Sequence, residues 1–216
     1  GRAFLAGLVP ALRRGAIAGS ERWFVVEAHP GPHPFRELET ALTGIAVEPP
    51  PSLMDELERD ELGLLRVVDR VLPDPNAELL IVLDQLEEVF TLVTDEGERA
   101  HLLASLRASV LDPESRVRVV TTLRADFYDA PLSVAGFGDL LAARTEAITP
   151  MSPEELERAI VAPADHAGLA VEPRLLAAAR GSGATPPLAE HRVVVGAKRS
   201  RRASRNARNR WRRTWT

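Results

Sequence analysis

Residues 78–88 read ELLIVLDQLEE, and the way this stretch is parsed decides the fold. Residues 79–83 form an unbroken apolar run that ends abruptly at Asp84, and two more carboxylates follow at Glu87 and Glu88. An apolar run of this length without alternation fits a strand buried on both faces, as in a parallel sheet. An acid at the carboxyl end of such a strand sits where open α/β sheets place their ligands. A plainer reading competes: a core strand followed by a helix whose acidic first turn favours its own dipole.

Working outward, strands and helices alternate. Phe4, Leu5, Leu8, Val9 and Leu12 recur at helical spacing, with Arg13-Arg14-Gly15 as a basic last turn and stop. Pro10 lies inside that pattern and predicts a kink or a late start. Residues 22–27 are rich in β-formers and read as a strand, followed by a proline-rich loop at 30–34. Phe35, Leu38, Leu42 and Ile45 mark an amphipathic helix that Pro49-Pro50-Pro51 breaks. Ser52 is expected to cap a single helix running through Leu53, Leu57, Leu64, Leu65 and Val68. A helix over 102–110 stops at Asp112-Pro113, and 117–122 is a β-branched strand ending in Leu123-Arg124-Ala125-Asp126. Residues 144–148 read as a last short strand.

Ser152-Pro153-Glu154-Glu155 combines a Ser cap, Pro at the first helical position and Glu at the capping-box position. A helix over 153–162, with Leu156, Ile160 and Val161 inward, is expected, and another near Glu172-Pro173. This alternation argues for an α/β fold with a doubly wound parallel sheet. Asp84 and Arg124 then close successive strands and share the sheet's carboxyl edge. A guanidinium there can sense or stabilise phosphate charge through its fork of donors. The alternative is that Arg124 pairs with Asp126 or Asp129 and caps a loop.

Composition narrows the classes. With 45% hydrophobic and 27% charged residues the chain is an ordinary globular one. It has no apolar run of membrane-spanning length and no charged-then-apolar leader pattern. The absence of cysteine excludes disulfides, thiolate nucleophiles and Cys-based zinc sites. His29 and His33 have i, i+4 spacing, but Pro30, Pro32 and Pro34 argue against a helix there, and so against a metal site. The net charge of −4 hides a division: residues 186–216 carry +9 and residues 1–185 carry −13. An acidic body and a basic tail are best treated as separate objects.

With these residues in hand, the chain resembles the STAND branch of P-loop NTPases. More specifically it is similar to the bacterial novel STAND NTPase domain often found upstream of WD-repeat propellers. The resemblance rests on 7–42 (GLVPALRRGAIAGSERWFVVEAHPGPHPFRELETAL), 79–93 (LLIVLDQLEEVFTLV), 117–132 (VRVVTTLRADFYDAPL) and 148–169 (ITPMSPEELERAIVAPADHAGL). It implies a parallel-sheet P-loop NTPase-like domain over 1–150 and the start of a helical module over 151–180. A basic low-complexity tail, disordered or frameshifted, would fill 181–216. By the resemblance, Asp84 is the Walker B ligand of Mg²⁺, Glu87 or Glu88 polarises an attacking water, and Arg124 is the sensor at the end of the next strand. It also implies ATP and Mg²⁺ as cofactors of the intact protein, self-association through the NTPase domain and a cytoplasmic location. Further protein partners would bind through repeats beyond this chain.

Two departures qualify it. The phosphate loop G-x-x-x-x-G-K-[ST] is missing, because no Gly in this chain is followed by Lys. Gly1-Arg2 stand where the end of that loop should be, so the expectation is a fragment lacking its first strand and loop, itself binding no ATP. A pseudo-NTPase scaffold is the alternative. The resemblance is also expected to stop near 176–180, where Arg-rich, Ser/Ala/Gly/Pro-rich text suggests a frameshift between Leu176 and Thr185. Trp211 and Trp215 among nine arginines suit, at most, non-specific nucleic-acid binding. With the central first strand missing, the 144–148 strand is expected to lack a partner. At roughly 1–3 kcal/mol per unpaired buried group, the isolated chain is then expected to be unstable.

Overall fold

The computed structural model describes residues 2–47, 51–74, 76–147, 152–166, 168–172, 174, 176–177 and 191–196. It divides into two compact units, 1–147 with 191–198, and 148–190 with 199–216. In chain order the strands are β1 (Phe24–Ala28), β2 (Leu79–Leu83), β3 (Val117–Arg124), β4 (Thr145–Ala147) and β5 (His191–Gly196). The helices are α1 (Arg2–Arg13), α2 (Pro34–Thr43), α3 (Leu53–Leu57), α4 (Gly63–Val71), α5 (Glu88–Thr91), α6 (Glu96–Leu111), α7 (Asp129–Leu132), α8 (Phe137–Arg144) and α9 (Pro153–His166).

All of β2 is buried, as its unbroken apolar run demands. Leu79, Ile81 and Leu83 join one core cluster with Phe35, Leu38, Leu57, Val68, Leu102 and Leu106. Leu80 and Val82 are buried too, but outside that cluster. Successive residues of a strand face opposite ways, so both faces of β2 are covered. β1 and β3 flank it in parallel, with Phe24 opposite Leu79, Ala28 opposite Leu83, and Leu83 opposite Thr121. The fold is therefore α/β, with a parallel three-stranded half built like a P-loop NTPase sheet.

The other half differs from expectation. The sheet order is β1-β2-β3-β5-β4. β4 has a partner after all: β5 fills the slot between β3 and β4, antiparallel to both, with His191 opposite Arg124 and Val194 opposite Thr145. Six residues inside the stretch read as a basic tail are thus a strand, because three valines in a row suit a ladder whatever surrounds them.

Smaller corrections have local causes. The single helix expected over residues 53–68 is two, α3 and α4. Asp60 Oδ1 accepts the Leu62 N–H at 2.8 Å, turning the chain. Gly63 then lets α4 approach α3, since a Cβ there would lie 2.2 Å from the Glu56 carbonyl oxygen. Ser52 makes no side-chain cap. Pro10 lies within a continuous α1. α6 begins earlier than its apolar pattern, at Glu96, because Asp95 caps it through the Gly97 and Glu98 amides.

In the second unit, Ser152 and Glu155 form the reciprocal capping box read from the sequence. The Glu155 N–H reaches Ser152 Oγ at 3.2 Å, and the Ser152 N–H reaches Glu155 Oε2 at 2.7 Å. α9 runs through Pro163 to His166, with Leu156, Ile160 and Val161 half-buried. Near the helix start expected at Glu172-Pro173, Arg174, Leu176 and Ala177 are helical.

Candidate functional site

Because β2 and β3 are parallel and in register, the residues that follow Leu83 and Thr121 emerge at the same edge. Asp84 therefore stands beside Thr122. The Thr122 hydroxyl donates to Asp84 Oδ1 and accepts the Gln85 N–H at 3.0 Å. The Thr122 carbonyl accepts the Leu86 N–H at 2.8 Å, and the Asp84 N–H donates to the Ala28 carbonyl at 3.0 Å. The turn after β2 is thus tied to both neighbouring strands. It is a tight turn: Gln85 has φ of 65°, a left-handed conformation uncommon outside glycine.

Asp84 and Glu87 are each only 6% exposed. Buried carboxylates need donors, and Glu87 Oε2 takes the Arg124 N–H at 3.3 Å. Glu88 sits at the start of α5 and reaches across to β1's exit, where its Oε2 accepts the Gly31 N–H at 3.0 Å. Beside it, Gln85 Nε2 lies 3.4 Å from His29 Nδ1. The acids after β2 therefore staple the β1 and β3 exits to one rim.

Arg124 ends β3 at that rim. Its side chain makes the alternative pairing read from the sequence, with Nε 3.1 Å and Nη2 2.8 Å from the Asp126 carboxylate, and lies 5.6 Å from the Phe127 ring centre. The pair is solvent-accessible, at 42% and 56% exposure, so a competing anion can reach the guanidinium. The structure thus brings Asp84, Glu87, Glu88 and Arg124 together on one edge.

Among the described residues no three His, Cys, Asp or Glu side chains form a group able to hold a metal ion. A single strand-end carboxylate still fits Mg²⁺, which keeps several waters and takes one or two carboxylates plus phosphate oxygens. A separate cleft of about 490 Å³ is lined by His33, Phe35, Arg36, Glu58, Asp95 and Glu98 and includes none of the rim residues. Among the described residues no helix is long and apolar enough to cross a membrane.

A parallel three-stranded sheet whose buried central strand ends in an acid, beside a strand ending in an arginine, is consistent with a P-loop NTPase-like fold. The family comparison is specific: the sequence model of the novel STAND NTPase 1 family matches residues 4–191, and the chain belongs to that family. The match runs past the 176–180 boundary expected from the sequence. No curated protein and no solved structure matches the chain.

The sequence pointed to the four charged residues but not to Thr122 or Gly31, and His29 entered only with His33 as a metal pair that the neighbouring prolines argue against. Thr122 lay inside a β-branched run that explains itself as strand propensity. Its position level with Asp84 depends on register, which has no local signal.

Proposed function

We propose that this chain is the sheet half of a nucleotide-dependent switch. The observation that carries the reading is the shared rim, where Asp84 follows β2 and Arg124 ends β3 at the same edge of adjacent parallel strands. In this reading Asp84 holds Mg²⁺, which supplies charge neutralisation between phosphate oxygens. Arg124 swings from exposed Asp126 to a phosphate, exchanging one charge-assisted pair for another. Of the two following acids, Glu88 is the better placed to polarise a water, since it is half-exposed while Glu87 is buried under the Arg124 amide. Gln85 stands directly after Asp84, where many related ATPases carry a catalytic glutamate, which favours slow turnover and a switch over a motor. Nucleotide state would then bias the packing of the domain and its self-association.

The chain itself carries no Gly-Lys pair, so the phosphate cradle in this reading comes from residues outside these 216. The test is the coding sequence preceding Gly1, followed by kinetics. A strand and Gly-Lys-Ser/Thr there, with Asp84→Asn lowering ATP turnover about a hundredfold in the protein that contains it, supports the switch. Absence of such a loop supports a second reading, a scaffold of the same fold without nucleotide, which the existing Arg124–Asp126 pairing favours. In either case the 216-residue chain alone is expected to show no ATP binding by calorimetry.

A further inference from the structure

The turn after β2 presents a mechanical problem. A residue with φ of 65° and a non-glycine side chain sits next to a buried acid, and strained turns persist only when their surroundings over-determine them. Thr122, itself 1% exposed, is the surrounding group that touches every part of the turn. Its hydroxyl gives its proton to Asp84 Oδ1 and receives the Gln85 N–H, while its carbonyl receives the Leu86 N–H. The Thr122 hydroxyl thus ties one oxygen of the Asp84 carboxylate to the backbone of the residue after it. Valine has the same shape and could fill the same core position, but could make neither hydroxyl bond. Serine could make both.

We propose that Thr122 is a positioning residue, one that locks the Asp84 carboxylate in the orientation from which it meets a divalent cation. The inference rests on the nucleotide-site reading above and adds to it the group that makes Asp84 pre-organised. A carboxylate held at one oxygen by a buried hydroxyl loses no rotational freedom when a cation arrives, so its affinity for the cation is higher than that of a free-swinging one. The left-handed turn at Gln85 belongs to the same device, because the bond from its N–H also ends on the Thr122 hydroxyl.

Two readings on the 216-residue chain test this. The first is amide hydrogen exchange at Gln85 and Leu86 in the wild type, Thr122→Val and Thr122→Ser. Thr122→Val is expected to speed exchange at Gln85 about tenfold and leave Leu86, which bonds to backbone, within about twofold. Thr122→Ser is expected to restore Gln85. Equal acceleration at both amides would mean general loosening and overturns the proposal, as does no change at Gln85. The second is a Mn²⁺ titration followed by paramagnetic broadening of residues 84–86. Thr122→Val is expected to need several-fold more Mn²⁺ than the wild type or Thr122→Ser. A wild-type response in Thr122→Val overturns positioning alone. A wild type that shows no broadening at residues 84–86, or an Asp84→Asn chain that broadens like the wild type, instead overturns the cation site underneath it. Should Thr122→Val not fold, Thr122→Ser carries the test: a Thr122→Ser chain with faster exchange at Gln85 or a several-fold higher Mn²⁺ requirement than the wild type overturns the proposal.

Discussion

The two halves of the sheet are built by different rules. β1, β2 and β3 are parallel, in register over five residues at each pairing, and the central one is wholly buried. Helices from the intervening segments cover them, with α2 on β1 and α6 on β3. Their amino ends are tied as well: Arg118 makes a bidentate pair with Glu78 and lies 4.4 Å from the Trp23 ring centre. In the other half β5 pairs with β3 over six residues and meets α8, and the weak member is β4. β4 is three half-buried or exposed residues, pairs only with β5 among the described residues, and meets a strand that runs the other way and comes from far along the chain. The difference teaches where the site gets its precision. Asp84 and Glu87 sit on the redundant half, and Thr122 and Arg124 stand at the seam, opposite Val193 and His191 of β5.

The comparison breaks most directly in the core of the first half. Ile81→Ala is expected to cost roughly 2–5 kcal/mol by urea denaturation, because Ile81 is fully buried in the central strand and the cavity cannot collapse between fixed helices. It should lower exchange protection in all three parallel strands together. Val194→Pro attacks the second half by removing a ladder donor from a strand paired on both sides. The expected loss is smaller, roughly 1–3 kcal/mol, and confined to β4 and the β5-facing side of β3. If hydrogen exchange shows β1 and β2 collapsing with it, the two halves are one cooperative unit and the contrast fails.

The same contrast explains what could be read in advance. β2 was legible because burial on both faces forces an unbroken apolar run, and α9 was legible because Ser152 and Glu155 carry a capping box in four residues. Asp84 and Arg124 could be placed on one edge once both strands were recognised as parallel. The α3–α4 break was not legible, because it depends on Gly63 meeting the Glu56 carbonyl, a contact between turns of chain. Nor was β5: its valines sit among arginines, and a strand that pairs across more than forty residues carries no local sign of its partner.

A subtler probe of the first half is the polar clamp in its helical layer. Glu56 is 2% exposed, yet charged groups surround it: Arg66 bonds to it directly, Arg59 approaches at 3.0 Å and Arg70 at 3.3 Å. The Arg66 hydrogen bond holds the Glu56 carboxyl below its ordinary range despite burial, with Arg59 and Arg70 adding to it. Arg66 also lowers Asp60 and is itself raised, mainly through Asp60 and then Glu56. A carboxyl depressed in the folded state stabilises it fully above the unfolded value and loses that contribution as pH falls through the folded one. Calorimetric melting temperature should therefore fall as pH drops from 7 toward about 3. Glu56→Gln should melt lower than the wild type at pH 7 and converge with it in acid. Parallel pH curves for the two would show that the clamp contributes nothing.

The smallest effect is expected at the seam itself. Arg124 and Asp126 form two good hydrogen bonds, but at roughly half exposure such a pair contributes little, because water and salt compete for both charges. A double-mutant cycle with Arg124→Ala and Asp126→Ala should give a coupling of no more than about 1 kcal/mol, shrinking further in high salt. The Glu87 staple survives the change, since it holds the Arg124 backbone N–H and not the guanidinium. A small coupling means that the fold does not depend on the Arg124–Asp126 pair. A coupling of several kcal/mol that salt does not weaken would make Arg124 a structural clamp, and the seam would then belong with the rigid half.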